Sequence, residues 1–302
     1  MNLHQIRVFY TVANRLSFTL AAQDLVMSQP AVSLQVKALE RSLGLRLFER
    51  VNNRLNLTQS GEALYHSAVS MLSAEDEAVR TMAELAGATR GKLVIGVNTT
   101  GGMYIMPPVI RDFRGHYTET EMVLHIDGTE RLCERVQQNI IDLAFVGGPI
   151  EDSRFRVEHL CLDPLALIFS PAHPFAGRDL VVVSELAAQE FVVPEPSSRT
   201  RLLVERALRE RGLMIKIAQQ LSGTEPVKKA VEANLGVGIV SAHAVEREIA
   251  AGHLCTAPIE GLPLRRHFEM VSRADKYFSP AGKRFREYVQ QHLAREDQVP
   301  TP

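Results

Sequence analysis

The chain has 302 residues, enough for two or three domains with separate cores. Its 45% apolar and 23% charged content is ordinary for a globular protein, no apolar run reaches membrane-span length, and three scattered cysteines exclude a disulfide framework or a Cys-x-x-Cys metal site. Net charge is −1, yet residues 1–60 hold seven Arg or Lys against three acids, a surplus of four that leaves −5 on the remainder; a basic head on an acidic body fits a polyanion-binding module joined to something else.

The N-terminal "MNLHQIRVFYTVANRLSF" lacks the uninterrupted apolar core of a signal peptide, and Leu3, Ile6, Phe9, Tyr10 and Ala13 form a helical stripe, so a cytoplasmic location is expected. Ser17 caps a short second helix with Leu20, Ala21 and Leu25 inward, and Ala21-Ala22 let another helix cross closely. After a tight turn at Val26-Met27, Ser28 caps a third helix whose Pro30 falls in the first turn, where a missing N–H costs nothing. Val32, Val36, Leu39 and Leu43 make its buried stripe, while Gln29, Ser33 and Lys37 lie on a face that is polar but lightly charged. Two short helices with polar groups on the first turns of the second describe a helix-turn-helix, although the usual turn glycine is absent.

"GLRLFERVNNRLNLTQSG" follows. Leu47-Phe48 and Leu55-Asn56-Leu57 predict two strands around the turn-forming Asn52-Asn53, a wing that carries Arg50 and Arg54 toward a phosphate or a minor groove. Thr58 then caps a long helix to about Ala86. Leu64, Met71, Ala78 and Leu85 recur every seven residues, with Ala68 and Met82 between them and Glu75 breaking the second seam, a spacing suited to packing across a dimer. "AGATRGK" reads as a hinge.

Beyond it, the strand-like "KLVIGV", "MVLHID" and "IDLAFVGG" alternate with helical segments, a βαβαβ pattern that predicts a parallel sheet covered by helices. "LALIFSP" and "EFVVPE" begin a second set of strands, "IKIAQQLS", "VGIVSA" and "RHFEMVSR" continue it, and the last helix turns Phe285, Tyr288, Val289 and Leu293 inward. "NTTGG", "EPSSRTR" and "SGTEP" each place hydroxyl residues where a helix begins and backbone N–H groups are free, and "VGGP" ends a strand in the same way. Thr100, Ser198 and Thr224 are at the least N-caps; together they sit at strand-to-helix joints, where open α/β sheets hold anionic ligands. Cys133, Cys161 and Cys255 read as buried small apolar residues, with a peroxide-sensing thiol the alternative. No H-E-x-x-H, G-x-S-x-G elbow, P-loop or dinucleotide fingerprint occurs, so neither a metal, a cofactor nor an enzyme is expected.

The whole pattern resembles the LysR-type transcriptional regulators, whose N-terminal signature is close to "SFTLAAQDLVMSQPAVSLQVKALERSLGLRLFER" followed by "LTQSG". The resemblance implies an N-terminal all-α winged helix-turn-helix at 1–58 (the hairpin its wing), a linker and dimerisation helix at 59–87, a hinge at 88–91, and at 92–302 an α/β two-lobed effector domain similar to type 2 periplasmic binding proteins. Lobe I would be 92–162 plus 267–295, and lobe II 163–266. Base contacts would fall to Gln29, Pro30 and Ser33. Leu34 departs from the arginine some relatives carry and offers an apolar contact or none, and Thr19, Ser28, Lys37, Arg50 and Arg54 would position the phosphates. Thr99, Thr100, Gly147, Ser197, Ser198 and Thr224 would line the effector cleft, with Arg199 and Arg201 as candidate carboxylate clamps. Dimerisation would use Leu64, Ala68, Met71, Ala78, Met82 and Leu85. The implied function is sequence-specific, effector-controlled transcription regulation. Its partners would be double-stranded promoter DNA, a small anionic metabolite, further copies of the chain in a homodimer or homotetramer, and RNA polymerase. An enzyme-like or solute-binding α/β body tethered to a DNA-binding module is the alternative.

Overall fold

The computed structural model describes residues 1–87 and 91–296. The chain divides into two compact units, Met1–Thr89 with Gln137–Ile140, and Arg90–Val136 with Ile141–Pro302. The expected hinge at 88–91 lies, apart from Gly91, outside the described residues.

In the first unit, α1 (Leu3–Arg15), α2 (Phe18–Asp24) and α3 (Gln29–Leu43) pack around Ile6, Phe9, Val12, Ala21, Val32, Val36 and Leu39, all essentially buried. Ser17 and Ser28 cap α2 and α3 with their hydroxyls, accepting from Leu20 and Ala31 N–H. Between these helices the chain reverses through a Schellman turn: Met27 N–H donates to Ala22 O and Val26 N–H to Gln23 O. The left-handed position, where glycine is usual, is held by Val26 at φ +53°, a residue 93% exposed. The missing turn glycine is therefore replaced by a strained β-branched residue. β1 (Phe48–Val51) and β2 (Arg54–Leu57) form the wing, with Asn52 and Asn53 both at positive φ, the requirement of a two-residue type I′ hairpin. α4 (Gln59–Leu85) begins at the cap Thr58, whose hydroxyl accepts from Gly61 N–H.

α4 corrects one expectation. Ala68 is fully buried in the core of its own unit and Leu64 packs against that core, as does Leu72, so the first half of the helix is consumed inside the chain. Glu75, which interrupts the expected seam, pairs with Arg7 of α1 at 2.8 Å. Met71, Ala78, Met82 and Leu85 remain exposed, joined by Val79.

The second unit has two lobes on a shared strand pair. β3 (Lys92–Val97), β4 (Glu121–Ile126) and β5 (Leu143–Gly147) run parallel, with α5 (Met106–His116) and α6 (Thr129–Gln137) as crossovers. β6 (Phe155–Phe169) is one continuous strand. Its first ten residues pair antiparallel with β11 (Arg265–Arg273) in lobe I, and the rest pair with β9 (Gly238–Ser241) and β10 (Cys255–Thr256) in lobe II. The sheet order β10-β6-β11-β5-β3-β4 is thus mixed rather than parallel, because both connections between lobes run antiparallel to their neighbours. Lobe II adds β7 (Glu190–Val193) parallel to β8 (Lys216–Gln220), with α7 (Arg199–Arg209), α8 (Thr224–Glu232) and the short α9 (Glu246–Ala250). α10 (Pro280–Glu296) returns to lobe I, burying Phe285, Val289 and Leu293 against Phe113 and Phe145. A single π-helical turn, Gly101–Ile105, leads into α5.

Candidate functional site

α3 presents Gln29, Pro30, Leu34 and Lys37 on an exposed face, with Ser33 half-buried beside them and Ser28 holding the helix start. The opposite face is locked into the three-helix core, and Glu40 near its end accepts from Leu47 N–H at 2.8 Å, which ties the wing to the helix. Thr19, Arg50 and Arg54 are exposed. Among the described residues Lys37, Arg50 and Arg54 have no carboxylate within salt-bridge distance, leaving three cations on or beside a polar helix face. This is the inventory that phosphate and base-edge contacts require.

In the second unit a cleft of about 500 Å³ opens between the lobes. Six of the eight expected effector residues line it: Thr99, Thr100, Ser197, Ser198, Arg199 and Thr224. Ser198 caps α7 with its hydroxyl, accepting from Arg201 N–H, whereas Thr100 stands at the N-cap position of the turn Gly101–Ile105 without a side-chain capping bond and Thr224 is the first residue of α8. Asn98 accepts from Gly101 N–H in place of Thr100, and Gly223 precedes the first turn of α8 with its N–H on Glu195 Oε2. Freed from capping, the two threonine hydroxyls approach to 3.4 Å across the lobes.

Arg201 and Gly147 are corrected. Arg201 is held at 2.6 Å by Glu205 Oε1, at 3.0 Å by Pro194 O and at 2.8 Å by Gln220 Oε1, so its guanidinium braces α7 against β7 and β8. Gly147 lies behind the cleft wall. A Cβ there would stand 2.6 Å from the Arg266 guanidinium, and one at Gly148 would stand 2.2 Å from the Glu269 carboxylate. Both glycines make room for buried charges on β11.

Arg266 is the cleft residue that sequence analysis missed. Its Nε donates to Asp163 Oδ2 at 2.8 Å and its Nη1 to Thr200 Oγ1 at 2.8 Å, while Ser241 donates to the other Asp163 oxygen at 2.5 Å. The Arg266 and Asp163 side chains are only 3% and 1% exposed. An arginine in the middle of a strand carries no local signal; only the crossing of β6 and β11 brings it to the cleft. Asp127, Gly128 and Thr129, which also line the cleft, were legible by the strand-to-helix rule applied elsewhere, since they join β4 to α6. Arg199 reaches toward α6 with its Nε buried and unpartnered. Burial pushes the Cys133 thiol on α6 up to about 11, against the opposing pull of the Arg199 charge, which keeps this sulfur protonated rather than peroxide-reactive. The cleft therefore collects the N-termini of α6, α7 and α8, eight Ser and Thr residues and the guanidinium groups of Arg199 and Arg266 around a volume that fits a small molecule.

Comparison with known proteins places this geometry. Residues 3–62 match the bacterial regulatory helix-turn-helix of the lysR family, and residues 86–294 match the LysR substrate binding domain. A RuBisCO operon transcriptional regulator of Allochromatium vinosum is 36% identical over 295 residues, 98% of this chain and 97% of that one. The transcriptional activator CmpR of Synechocystis is 31% identical over 290 residues, 96% and 95% of the two chains. The regulatory domain of CcmR from Synechocystis, solved in complex with 2-PG, superposes with a TM-score of 0.65 at 25% identity, covering 70% of this chain and all of that one. With both family domains matched in order over nearly its full length, the chain belongs to the LysR family of DNA-binding transcriptional regulators.

Proposed function

We propose that the chain is a cytoplasmic homotetrameric regulator that binds promoter DNA through α3 and the wing and is controlled by a small anionic metabolite held in the interlobe cleft. The phosphorylated carboxylate 2-phosphoglycolate is the compound we place there. The observation that carries the reading is the convergence of three helix N-termini and the buried Arg266 on one cleft. Oxygen-rich anions are stabilised where unpaired backbone N–H groups and dipole ends converge. The likeness to a CcmR domain that binds 2-PG, and to regulators of RuBisCO operons, supports an effector of this chemistry. Thr99, Thr100, Ser197, Ser198, Arg199, Thr224 and Arg266 would hold it. Gln29, Pro30 and Ser33 would meet base edges, with Leu34 available to a thymine methyl, while Thr19, Ser28, Lys37, Arg50 and Arg54 hold the backbone. The exposed half of α4 around Met71, Ala78, Met82 and Leu85 would carry self-association, and RNA polymerase would be the downstream partner.

A population shift makes this a switch: the effector must prefer one lobe arrangement, and that preference is passed to the DNA-binding geometry. The test is titration calorimetry of the full chain with 2-phosphoglycolate, glycolate and inorganic phosphate, followed by footprinting on a promoter duplex selected from genomic DNA by the chain itself. Saturable binding of 2-phosphoglycolate, tighter than of either fragment and accompanied by a changed footprint, is expected. Equal weak heats for all three, or a footprint indifferent to ligand, would refute the effector assignment.

A further inference from the structure

Next to the cleft, but outside its lining, the two lobes meet a second time. The π-helical turn that follows Thr99-Thr100 carries Tyr104, which belongs to lobe I. Its hydroxyl donates to Glu225 Oε1, and Glu225 directly follows the cleft residue Thr224 on α8 of lobe II. One turn further along α8, Lys228 is 2% exposed. Its ammonium donates to the Tyr104 hydroxyl at 3.0 Å, to Glu225 at 2.8 Å and to Ala244 O at 2.6 Å, and pairs with Glu248 at 2.7 Å. It also stands 5.1 Å from the centre of the Tyr104 ring. A lysine this deeply buried is tolerated only with its charge fully partnered, and here one of the partners belongs to the opposite lobe.

We infer that Tyr104, Glu225 and Lys228 form an interlobe latch that holds the two walls of the cleft at their closed separation. None of the three touches the cleft volume; they act as positioning residues, through Thr100 and Thr224. The local design fits this role. Glu225, Glu248 and the Ala244 carbonyl all belong to lobe II with Lys228 and stay with it when the lobes part, so opening does not strand the ammonium. At this cluster opening costs only the tyrosine contacts, a modest and reversible term. A π-helical turn is the less regular segment on which such a hydroxyl can be aimed without disturbing α5. Because the latch favours closed lobes without ligand, it raises the binding-competent fraction and with it the apparent effector affinity. This inference rests on the cleft being the effector site, but its structural half does not need the ligand.

Tyr104→Phe keeps the ring over Lys228 and removes only the hydroxyl; Glu225→Gln keeps the side-chain size and removes the charge. Hydrogen exchange of the ligand-free full chain is read at residues 100–105 and 224–231 in wild type and both variants. About tenfold faster exchange confined to these segments is expected, matched by about tenfold weaker binding of 2-phosphoglycolate, with the double variant no worse than either single one. Wild-type exchange rates in Tyr104→Phe would overturn the latch, as would additive effects in the double variant. A wild-type chain that fails to bind 2-phosphoglycolate while Tyr104→Phe still loosens both segments would sink the effector and keep the latch.

Discussion

Removing Arg266 tests the cleft and its foundations together. Its guanidinium and the Asp163 carboxylate are a buried pair at 2.8 Å, and Asp163 is otherwise held only by Ser241 among the hydrogen bonds described. Arg266→Met keeps a long unbranched side chain but leaves a buried carboxylate with one neutral donor, which costs about 3–5 kcal/mol. For a domain of this size each kcal/mol moves the midpoint by about 2–4 °C, so the effector domain should melt roughly 6–20 °C lower. The second variant, Arg266→Met with Asp163→Asn, removes both charges and keeps the Ser241 contact; it should recover most of the loss. Ligand binding should not recover. A hydrogen bond to a charged group contributes about 1.5–3 kcal/mol, so 2-phosphoglycolate should bind about 10- to 150-fold more weakly to the double variant. Calorimetry beside thermal denaturation separates the two effects. A double variant that is both stable and wild-type in affinity would remove Arg266 from the effector contacts and leave it a purely structural charge.

Four other substitutions have defined outcomes. Val26→Gly should stabilise the DNA-binding unit by about 1 kcal/mol, because an almost fully exposed valine at φ +53° loses no packing when the left-handed strain is relieved; an unchanged or lower melting midpoint would deny the strain. Gln29→Ala should cost about 1–3 kcal/mol at one base position per half-site, while Arg50→Ala should weaken all DNA and reduce the salt slope by about one; the opposite pattern in fluorescence anisotropy would exchange their roles. Burial holds the Glu269 carboxyl above the usual carboxylate range, with Ile150 N–H, His159 and His267 pulling the other way. A raised folded pKa means stability present at low pH is lost as pH rises through that value, so Glu269→Gln should be more stable than wild type at pH 7 and converge with it in acid. A gain that persists unchanged to pH 4 would contradict this sign.

The N-terminal unit was nearly all legible because its signals are local. Ser17, Ser28 and Thr58 are caps in fact, Asn52-Asn53 turns the wing, and the α3 stripe of Val32, Val36 and Leu39 is the buried one. The heptad spacing of α4 was legible as a pattern but not as a partner: spacing alone does not say whether Ala68 meets another chain or α1. Strand-to-helix joints pointed to Thr100, Ser198 and Thr224, though only Ser198 makes a side-chain capping bond. What stayed hidden depends on long-range pairing. The alternation in the first half of β6, "FRVEHLCL", changes phase where the register with β11 shifts at Leu160, and Arg266 and Asp163 acquire meaning only when β6 and β11 align. Gly147 looked like a ligand-binding turn and is instead the space that Arg266 occupies.

The charge of the cleft decides how it holds an anion. Its lining contains Arg131, Arg199 and Arg266, balanced by Asp127, Glu130 and Glu195, and Asp163 behind Arg266 adds a further negative charge. Arg131 is itself turned to Asp127 at 3.4 Å. Bulk Coulomb attraction therefore does not select an anion here. Selection must come from short-range donors fixed by the fold: the first turns of α6, α7 and α8, the hydroxyls of Thr100, Ser198 and Thr224, and an Arg266 whose charge is already neutralised and whose remaining N–H groups act as oriented donors. Short contacts inside a partly closed cleft are screened little, whereas a field of uncompensated arginines would be screened strongly, since the Debye length falls from about 10 Å at 0.1 M to about 3 Å at 1 M salt. Affinity for 2-phosphoglycolate should accordingly fall by less than about threefold over that range. A loss of tenfold or more, with the effector domain still folded by circular dichroism, would mean that net positive charge, and not donor geometry, makes this cleft an anion site.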